Sequence, residues 1–286
     1  MNKITSRTRL AENVYALSVE APEIARERKA GQFVIVMADA EKGERIPLTI
    51  CDADPARGTI DLLFQTAGAT TMQLAAMKPG DGIVVAGPLG RPTRIRGTDG
   101  TAPGRVVCVG GGIGAAPVHP IVQALAAAGN RVTVIVGART KSLIVMEEKL
   151  RKAAGGDLIV VTDDSSAGRK GLVTEPLKEL CEGGGIDEVI AIGPPVMMKF
   201  CAATTRPFGV KTTVSLNTIM IDGTGMCGGC RVSVGGKTRF VCVDGPEFDG
   251  HEVDWDQMMQ RMGAFREQEA AAREHACRLF GGLAAG

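Results

Sequence analysis

Residues 1 to about 97 alternate apolar and polar positions over short runs, VYALSVE (14–20), GQFVIVM (31–37), RIPLTI (45–50), TIDLLFQ (59–65) and GIVVAGPLG (82–90), set apart by Gly, Pro and Asp clusters. Short β-type runs with turn signals at close intervals predict a small barrel or sandwich of antiparallel strands. From Arg105 the pattern changes. Near-continuous Val/Ile runs, RVVCVGGG, RVTVIVGA, DLIVVTDD and EVIAIGPP, alternate with the helical stretches PIVQALAAAG, SLIVMEEKLRKAA and TEPLKELCE. Strands that are apolar on both faces and separated by helices predict a parallel sheet covered on both sides. After about Val214 a stretch rich in Gly and Cys runs to about Gly250, and from Asp254 the residues Trp255, Met258, Met259, Met262 and Phe265 recur at helical spacing. Asp254 and Gln257 stand as a capping pair at the start of that helix. The expected divisions are a barrel over 1–97, an α/β domain over 98–213, a cysteine-bearing segment over 214–250, and a C-terminal helix within 251–286. The apolar stripe of that helix suits either the core or a second subunit.

The 33 basic and 32 acidic residues leave a net charge of +1, with no sustained basic block. That argues against nucleic acid or an anionic membrane surface as partner, since phosphate binding needs clustered cations. Aromatic residues at 3% provide no stacking platform for single strands. The 38 glycines have no collagen period, so they are expected at special backbone sites. Eight dispersed cysteines, of which Cys227, Cys230 and Cys242 fall within sixteen positions, are not the disulfide framework of a small secreted domain. The N-terminus has no apolar core of signal-peptide length, and the longest apolar stretch, Val106–Val118, is too short and glycine-interrupted to span a bilayer. A soluble cytoplasmic protein is expected.

Three constellations carry candidate chemistry. Gly110-Gly111-Gly112-Ile113-Gly114-Ala115-Ala116-Pro117 lies between a strand and a helix, where missing Cβ atoms let backbone N–H groups approach a pyrophosphate. A tight turn without a ligand reads the same way. Pro117 also breaks the G-x-G-x-x-G spacing, and the second strand ends in Gly137-Ala138-Arg139-Thr140 without the acidic residue of a standard dinucleotide fingerprint. The second constellation is Cys227-Gly228-Gly229-Cys230 with Cys242. It offers three thiolates to a metal, with Asp222, Asp244 or His251 as the fourth donor, for an iron–sulfur cluster or a structural zinc. A free redox C-x-x-C is disfavoured because β-type sequence flanks it. The third is Arg45-Ile46-Pro47-Leu48-Thr49-Ile50, followed by Ala67-Gly68-Ala69-Thr70-Thr71 and Gly87-Pro88-Leu89-Gly90. Here Arg and Thr are suited to a phosphate, although RIPLTI alone is an ordinary alternating strand.

Taken in order, RxPxT, a G-x-x-T turn, GPLG, VGGGIGAAP, VGART, TDDSSAGRKGLVT and GPPVMM resemble the ferredoxin:NADP reductase superfamily over nearly the whole chain. With its appended cysteine segment the chain is similar to electron-transfer subunits of dihydroorotate dehydrogenase. It is more closely similar to small subunits of bifurcating NADH-dependent ferredoxin:NADP oxidoreductases, also known as sulfide dehydrogenase subunits. The first cluster ligand separates the two, because counting back five from Cys227 lands on Asp222 where the dihydroorotate dehydrogenase pattern has a cysteine. The resemblance implies an antiparallel FAD barrel, a parallel-sheet nicotinamide domain and a 2Fe–2S cluster held by Asp222, Cys227, Cys230 and Cys242. It implies that Arg45, Pro47, Leu48 and Thr49 line FAD, with Gly68, Thr70 and Thr71 near its pyrophosphate. It assigns the nicotinamide dinucleotide to Gly111, Gly112, Gly114, Pro117, Arg139, Asp163, Gly193, Pro194 and Met197.

The chain departs from wider relatives in having Pro47-Leu48-Thr49 where a Tyr stacks on the ring, and Ile192 where plant-type members have Cys. Asp163 and Asp164 would repel a 2′-phosphate that Arg139 would attract, and the balance favours NAD(H) over NADP(H). The implied partner is a larger flavin and iron–sulfur oxidoreductase subunit, in a heterodimer. His119 is expected as a satisfied helix-face histidine, and Cys51, Cys108, Cys181 and Cys201 as small core hydrophobes. No catalytic acid or base is expected.

Overall fold

The structure is a computed structural model that describes residues 1–280. Its first part is a closed barrel of β1 (Asn2–Ala11), β2 (Val14–Glu20), β3 (Phe33–Met37), β4 (Ile46–Asp54), β5 (Thr59–Gln65) and β6 (Gly82–Leu89), in the order β1-β2-β5-β4-β3-β6. Closure leaves no exposed sheet edge. Period-two alternation sorts the side chains: Val34, Val36, Ile50, Ile60 and Leu62 fill the interior, while Phe33 and Ile35 point outward into a different core. The pairs Phe33↔Thr49 and Ile35↔Pro47 put those four residues on one outer face. Two short helices, α1 (Pro22–Glu27) and α2 (Ala69–Ala76), flank the barrel.

The second part is built from β7 (Arg105–Gly111), α3 (Ala115–Ala127), β8 (Arg131–Ala138), α4 (Glu147–Ala153), β9 (Leu158–Thr162), β10 (Arg169–Lys170), α5 (Thr174–Glu182), β11 (Glu188–Ile192), α6 (Pro195–Thr205) and β12 (Lys211–Ser215). The strands run β10-β9-β8-β7-β11-β12, all parallel. Strand order reverses between β7 and β11. A crevice opens outside the carboxyl ends of strands at such a switch point. One sheet face packs on α3 and α4 and the other on α5 and α6.

The cysteine segment forms a hairpin, β13 (Arg231–Val234) with β14 (Lys237–Phe240), then one helical turn α7 (Val241–Asp244) and the strand β15 (Glu247–Asp249). Two features differ from the sequence pattern. Cys242 sits in the single helical turn α7, although β-type sequence surrounds it. β15 pairs antiparallel with β12 through Ser215↔Glu247 and Thr213↔Asp249, so the large sheet extends into the stretch read as a separate segment. Three residues are too few to show alternation, and their partner is a distant strand. The expected cap is present, with the Asp254 carboxylate accepting the Gln257 N–H at 3.0 Å. The helix breaks after Met262 into α8 (Trp255–Met262) and α9 (Arg266–Phe280). Trp255 and Met258 are buried, with Met259 and Met262 packed beside them, so the Met stripe belongs to the core. α9 packs on α2, where the Cys277 and Met72 sulfurs lie 3.9 Å apart. Residues 281–286, the end of the expected C-terminal helix region, lie outside the described residues. No helix among the described residues is long and apolar enough to cross a membrane.

Candidate cofactor cleft and cysteine loop

A cleft of about 930 Å³ runs from the outer face of the barrel to the switch point of the sheet. On the barrel side it is lined by Pro47, Leu48, Thr49 and Thr71, and on the sheet side by Gly111, Gly112, Gly114, Pro117, Arg139, Asp163, Gly193, Pro194 and Met197. Arg45, Gly68 and Thr70 are not among its lining residues. Arg45 is exposed just ahead of β4. The Thr70 hydroxyl donates to Glu44 at 2.8 Å, tying α2 to the loop before β4. The Gly68 N–H donates to Thr71 Oγ1 at 3.0 Å and closes the first turn of α2.

Sequence reasoning missed the apolar walls. Phe33 and Phe64 line the barrel side, and Leu172, Val196 and Phe200 the sheet side. The usable signal for Phe33 was its alternation with the inward Val34 and Val36. Phe64 is stacked by Tyr15 with centroids 6.2 Å apart, and Arg7 covers Tyr15 at 5.2 Å.

The glycines of the β7–α3 turn divide their work. A Cβ on Gly114 would sit 2.2 Å from the Ile192 carbonyl oxygen, and one on Gly111 2.3 Å from the Met197 sulfur. These two therefore permit β7 to close on β11 and α6. Gly112, at φ +55° with nothing within 4 Å of its Cβ direction, is the one that opens its backbone to the cleft.

At the far end, Asp164 accepts the Ser166 N–H at 2.9 Å and its hydroxyl at 2.5 Å, and the Ser166 bonds hold its carboxyl below the usual range. Ser166 Oγ accepts the Lys141 N–H at 2.7 Å. That stitches the loop after β9 to the loop after β8. Asp163 is exposed in the cleft lining, with no side-chain bond or ion pair among the described residues.

The cysteine loop presents its donors in two pairs. Cys230 and Cys242 are buried with their sulfurs 3.3 Å apart, and burial, helped by Cys230, pushes the Cys242 thiol up. Asp222 and Cys227 form the second pair. The Asp222 carboxylate accepts the Thr224 N–H at 2.9 Å and the Cys227 N–H at 2.7 Å, and these bonds, with the Cys227 thiol, hold it below its ordinary value.

The other candidate donors are engaged elsewhere. Asp244 accepts the Phe240 N–H at 2.8 Å and faces Arg91 at 3.7 Å, while His251 Nε2 is bonded to Thr205 at 3.0 Å. Among the described residues no three donors converge as they would on a single ion. Two pairs suit a two-iron cluster, in which each tetrahedral iron takes two protein ligands beside its bridging sulfides, and do not suit a closed zinc site with four ligands around one point. Arg261 of α8 donates to the Gly229 carbonyl at 3.3 Å and braces the loop. For the flavin, one fitting observation is the buried Thr218 hydroxyl, which has no partner among the described residues and lies in sequence between the lining residues Asn217 and Met220; such a group calls for a ligand or a water.

An antiparallel barrel joined to a parallel nicotinamide-type sheet by a shared cleft, with a cysteine loop beside it, defines a ferredoxin reductase-like flavin and iron–sulfur oxidoreductase. Comparison with known proteins is specific. Residues 2–93 match the oxidoreductase FAD-binding domain, 108–203 the oxidoreductase NAD-binding domain, and 217–254 the iron–sulfur cluster binding domain of dihydroorotate dehydrogenase B. The chain is 44% identical to a dihydroorotate dehydrogenase B (NAD(+)) electron transfer subunit homolog of Thermotoga maritima, over 98% of this chain and 97% of that one. It is 34% identical to the electron transfer subunit of Geobacillus thermodenitrificans, over 87% and 96%. A chain in a solved structure of the NADH-dependent reduced ferredoxin-NADP oxidoreductase superposes with a TM-score of 0.89 at 45% identity, covering 96% of this chain and 97% of that one. The chain belongs to the family of dihydroorotate dehydrogenase B electron transfer subunits and their homologues: an electron-transfer subunit with FAD, NAD and iron–sulfur domains.

Proposed function

We propose that this chain takes a hydride from NADH onto FAD and releases the electrons singly, through a 2Fe–2S cluster on Asp222, Cys227, Cys230 and Cys242, to a larger flavin and iron–sulfur oxidoreductase subunit. One observation carries the reading: the cleft and the cysteine loop share the outer face of β3 and β4. Phe33, Pro47 and Thr49 line the cleft, and Gly223, next to Asp222, packs on Ile35 of the same face. The bound flavin supplies the conversion between two-electron and one-electron chemistry. The protein's part is placement. Pro47, Leu48, Thr49 and Phe33 bind the ring, and Thr71 lines the side of the cleft nearest α2. The backbone at Gly112 and the start of α3 receive a pyrophosphate. Arg139 and Asp163 are the charged side chains among the described lining residues, and hydride transfer needs no side-chain acid or base.

Asp163 favours NADH because a 2′-phosphate would meet an unpaired carboxylate. In the 45%-identical structure the assembly is an NADH-dependent ferredoxin-NADP oxidoreductase, and the partner in our reading is of that kind, working in the cytoplasm, where free thiols persist. The match at 217–254 and the 34%-identical relatives favour a second reading, electron transfer for dihydroorotate oxidation. Anaerobic purification tests both. Iron with equal sulfide, an NADH-bleached flavin band and a copurifying subunit inert toward dihydroorotate are expected. Oxidation of dihydroorotate by that partner selects the second reading, and equimolar zinc without iron or sulfide overturns the cluster.

A further inference from the structure

His119 is buried, with 3% of its surface exposed, and the reading above gives it no work. It lies two residues beyond Pro117, which lines the sheet side of the cleft, and its Nδ1 is 3.2 Å from the carbonyl oxygen of Cys51. Cys51 in turn lies two residues beyond Thr49, which lines the barrel side. The contact therefore joins the two walls immediately behind their lining residues.

The backbone of β4 is built for this contact. Its register with β5 slips between Ile50↔Leu62 and Asp52↔Asp61, which leaves Cys51 in a bulge, and a bulge turns backbone groups away from the ladder. The Cys51 thiol bonds back to the Asp61 carbonyl at 3.1 Å. Beside it, Lys149 of α4 meets Asp52 at 3.1 Å, with Arg28 at 3.9 Å on the other side. Burial lowers the His119 pKa, against the opposing pull of the Cys51 bond and Asp52. A carbonyl partner requires a proton on Nδ1.

We propose that His119 is a positioning residue for the hydride step: by donating to the bulged Cys51 carbonyl it fixes the spacing between the nicotinamide wall and the flavin wall. This rests on the NADH-to-flavin reading. In that step the C4–H bond of the dihydronicotinamide breaks, both electrons pass with the hydrogen to the flavin, and NAD⁺ remains. No side-chain proton is used, so the contribution of His119 is distance and angle alone. Misplacement by about 1 Å costs such reactions up to about a hundredfold.

The test is stopped-flow reduction of the flavin-loaded protein by NADH and its C4-deuterated form, with NAD⁺ affinity and the long-wavelength nicotinamide–flavin charge-transfer band as further readouts. His119→Ala is expected to slow hydride transfer roughly tenfold, by partial loss of that placement, to weaken the charge-transfer band and to leave NAD⁺ affinity within a few-fold. His119→Asn, whose amide can donate to the same carbonyl, is expected to restore rate and band. A lower melting temperature in His119→Ala with rate and band unchanged overturns the proposal. If the alanine variant does not fold, His119→Phe, which fills the space without a donor, takes its place beside His119→Asn, and equal rates in the two overturn it. Wild-type protein that NADH does not bleach overturns the parent reading, whereas a bleached wild type with an identical His119 variant overturns this proposal alone.

Discussion

Glu247 shows how one side chain can record the join between the parts of this molecule. Its carboxylate accepts the Thr93 hydroxyl at 2.6 Å, and it fits because Gly31, at φ +82°, has no Cβ, which would stand 2.9 Å from the carboxylate oxygen. Burial raises its pKa to about 7, opposed by the Thr93 bond and the charge of Lys211 and reinforced by Glu188. The folded state thus holds a proton that the unfolded chain releases near its ordinary value of 4.5. The associated stability is complete below that value and is lost as pH rises through about 7. The loss is on the order of 3 kcal/mol. Glu247→Gln keeps the shape of the protonated form. Urea unfolding at pH 5 and pH 8 should therefore show a fall for the wild type and a nearly level stability for the variant.

Asp163 sets a second expectation at this scale. Like charges about 4 Å apart repel by about 1–4 kcal/mol, depending on the local dielectric, so Asp163→Ser should raise kcat/KM for NADPH about tenfold, with a much smaller change for NADH.

Elements were legible in the sequence where their pattern is local. The alternating Val/Ile strands and amphipathic helices from Arg105 onward mark their own positions, and Asp254 identifies the start of its helix. The glycine turn and the Cys227/Cys230 spacing likewise mark the candidate site. What escaped depends on distant partners: β15, the bulge at Cys51, and the outward role of Phe33 are decided by neighbours far along the chain. The bond from the Thr70 hydroxyl to Glu44 was illegible for the same reason. Gly223 shows the effect most clearly. A glycine beside Asp222 suggests room for a cofactor, yet at φ +76° its missing Cβ would stand 2.7 Å from Leu89 Cδ1 and 2.8 Å from Ile35 Cγ1. It is the barrel that comes close here, and the glycine lets the donor loop rest on the face that also lines the cleft. Gly223→Ala should cost about 1–2 kcal/mol in backbone strain alone and lift the loop. The expected readout is retained iron and retained NADH bleaching with slower electron transfer from flavin to cluster, partly recovered when Leu89→Ala is added to open space.

At the scale of the whole chain the cysteine segment is not a detachable module. Its Cys230, Val232, Val241 and Cys242 share one continuous core with Val107, Val189, Met198 and Val214 of the nicotinamide sheet, with Phe33 and Ile35 of the barrel, and with Trp255 and Met258 of α8. β15 also pairs along β12 and covers what would otherwise be a sheet edge. Removing a ligand and removing the segment should therefore have different consequences. Cys242→Ala deletes one donor without adding the hydroxyl oxygen that serine would offer to iron. The purified variant is expected to lose iron and one-electron reduction of an acceptor such as cytochrome c, while NADH still bleaches its flavin. A chain ending after Ser215 uncovers the face around Met198 and Val214 and frees the edge of β12, so it should aggregate or lose the flavin response altogether. A truncated chain that stays monomeric and is still bleached by NADH would show that the barrel and sheet hold the cleft without that shared core.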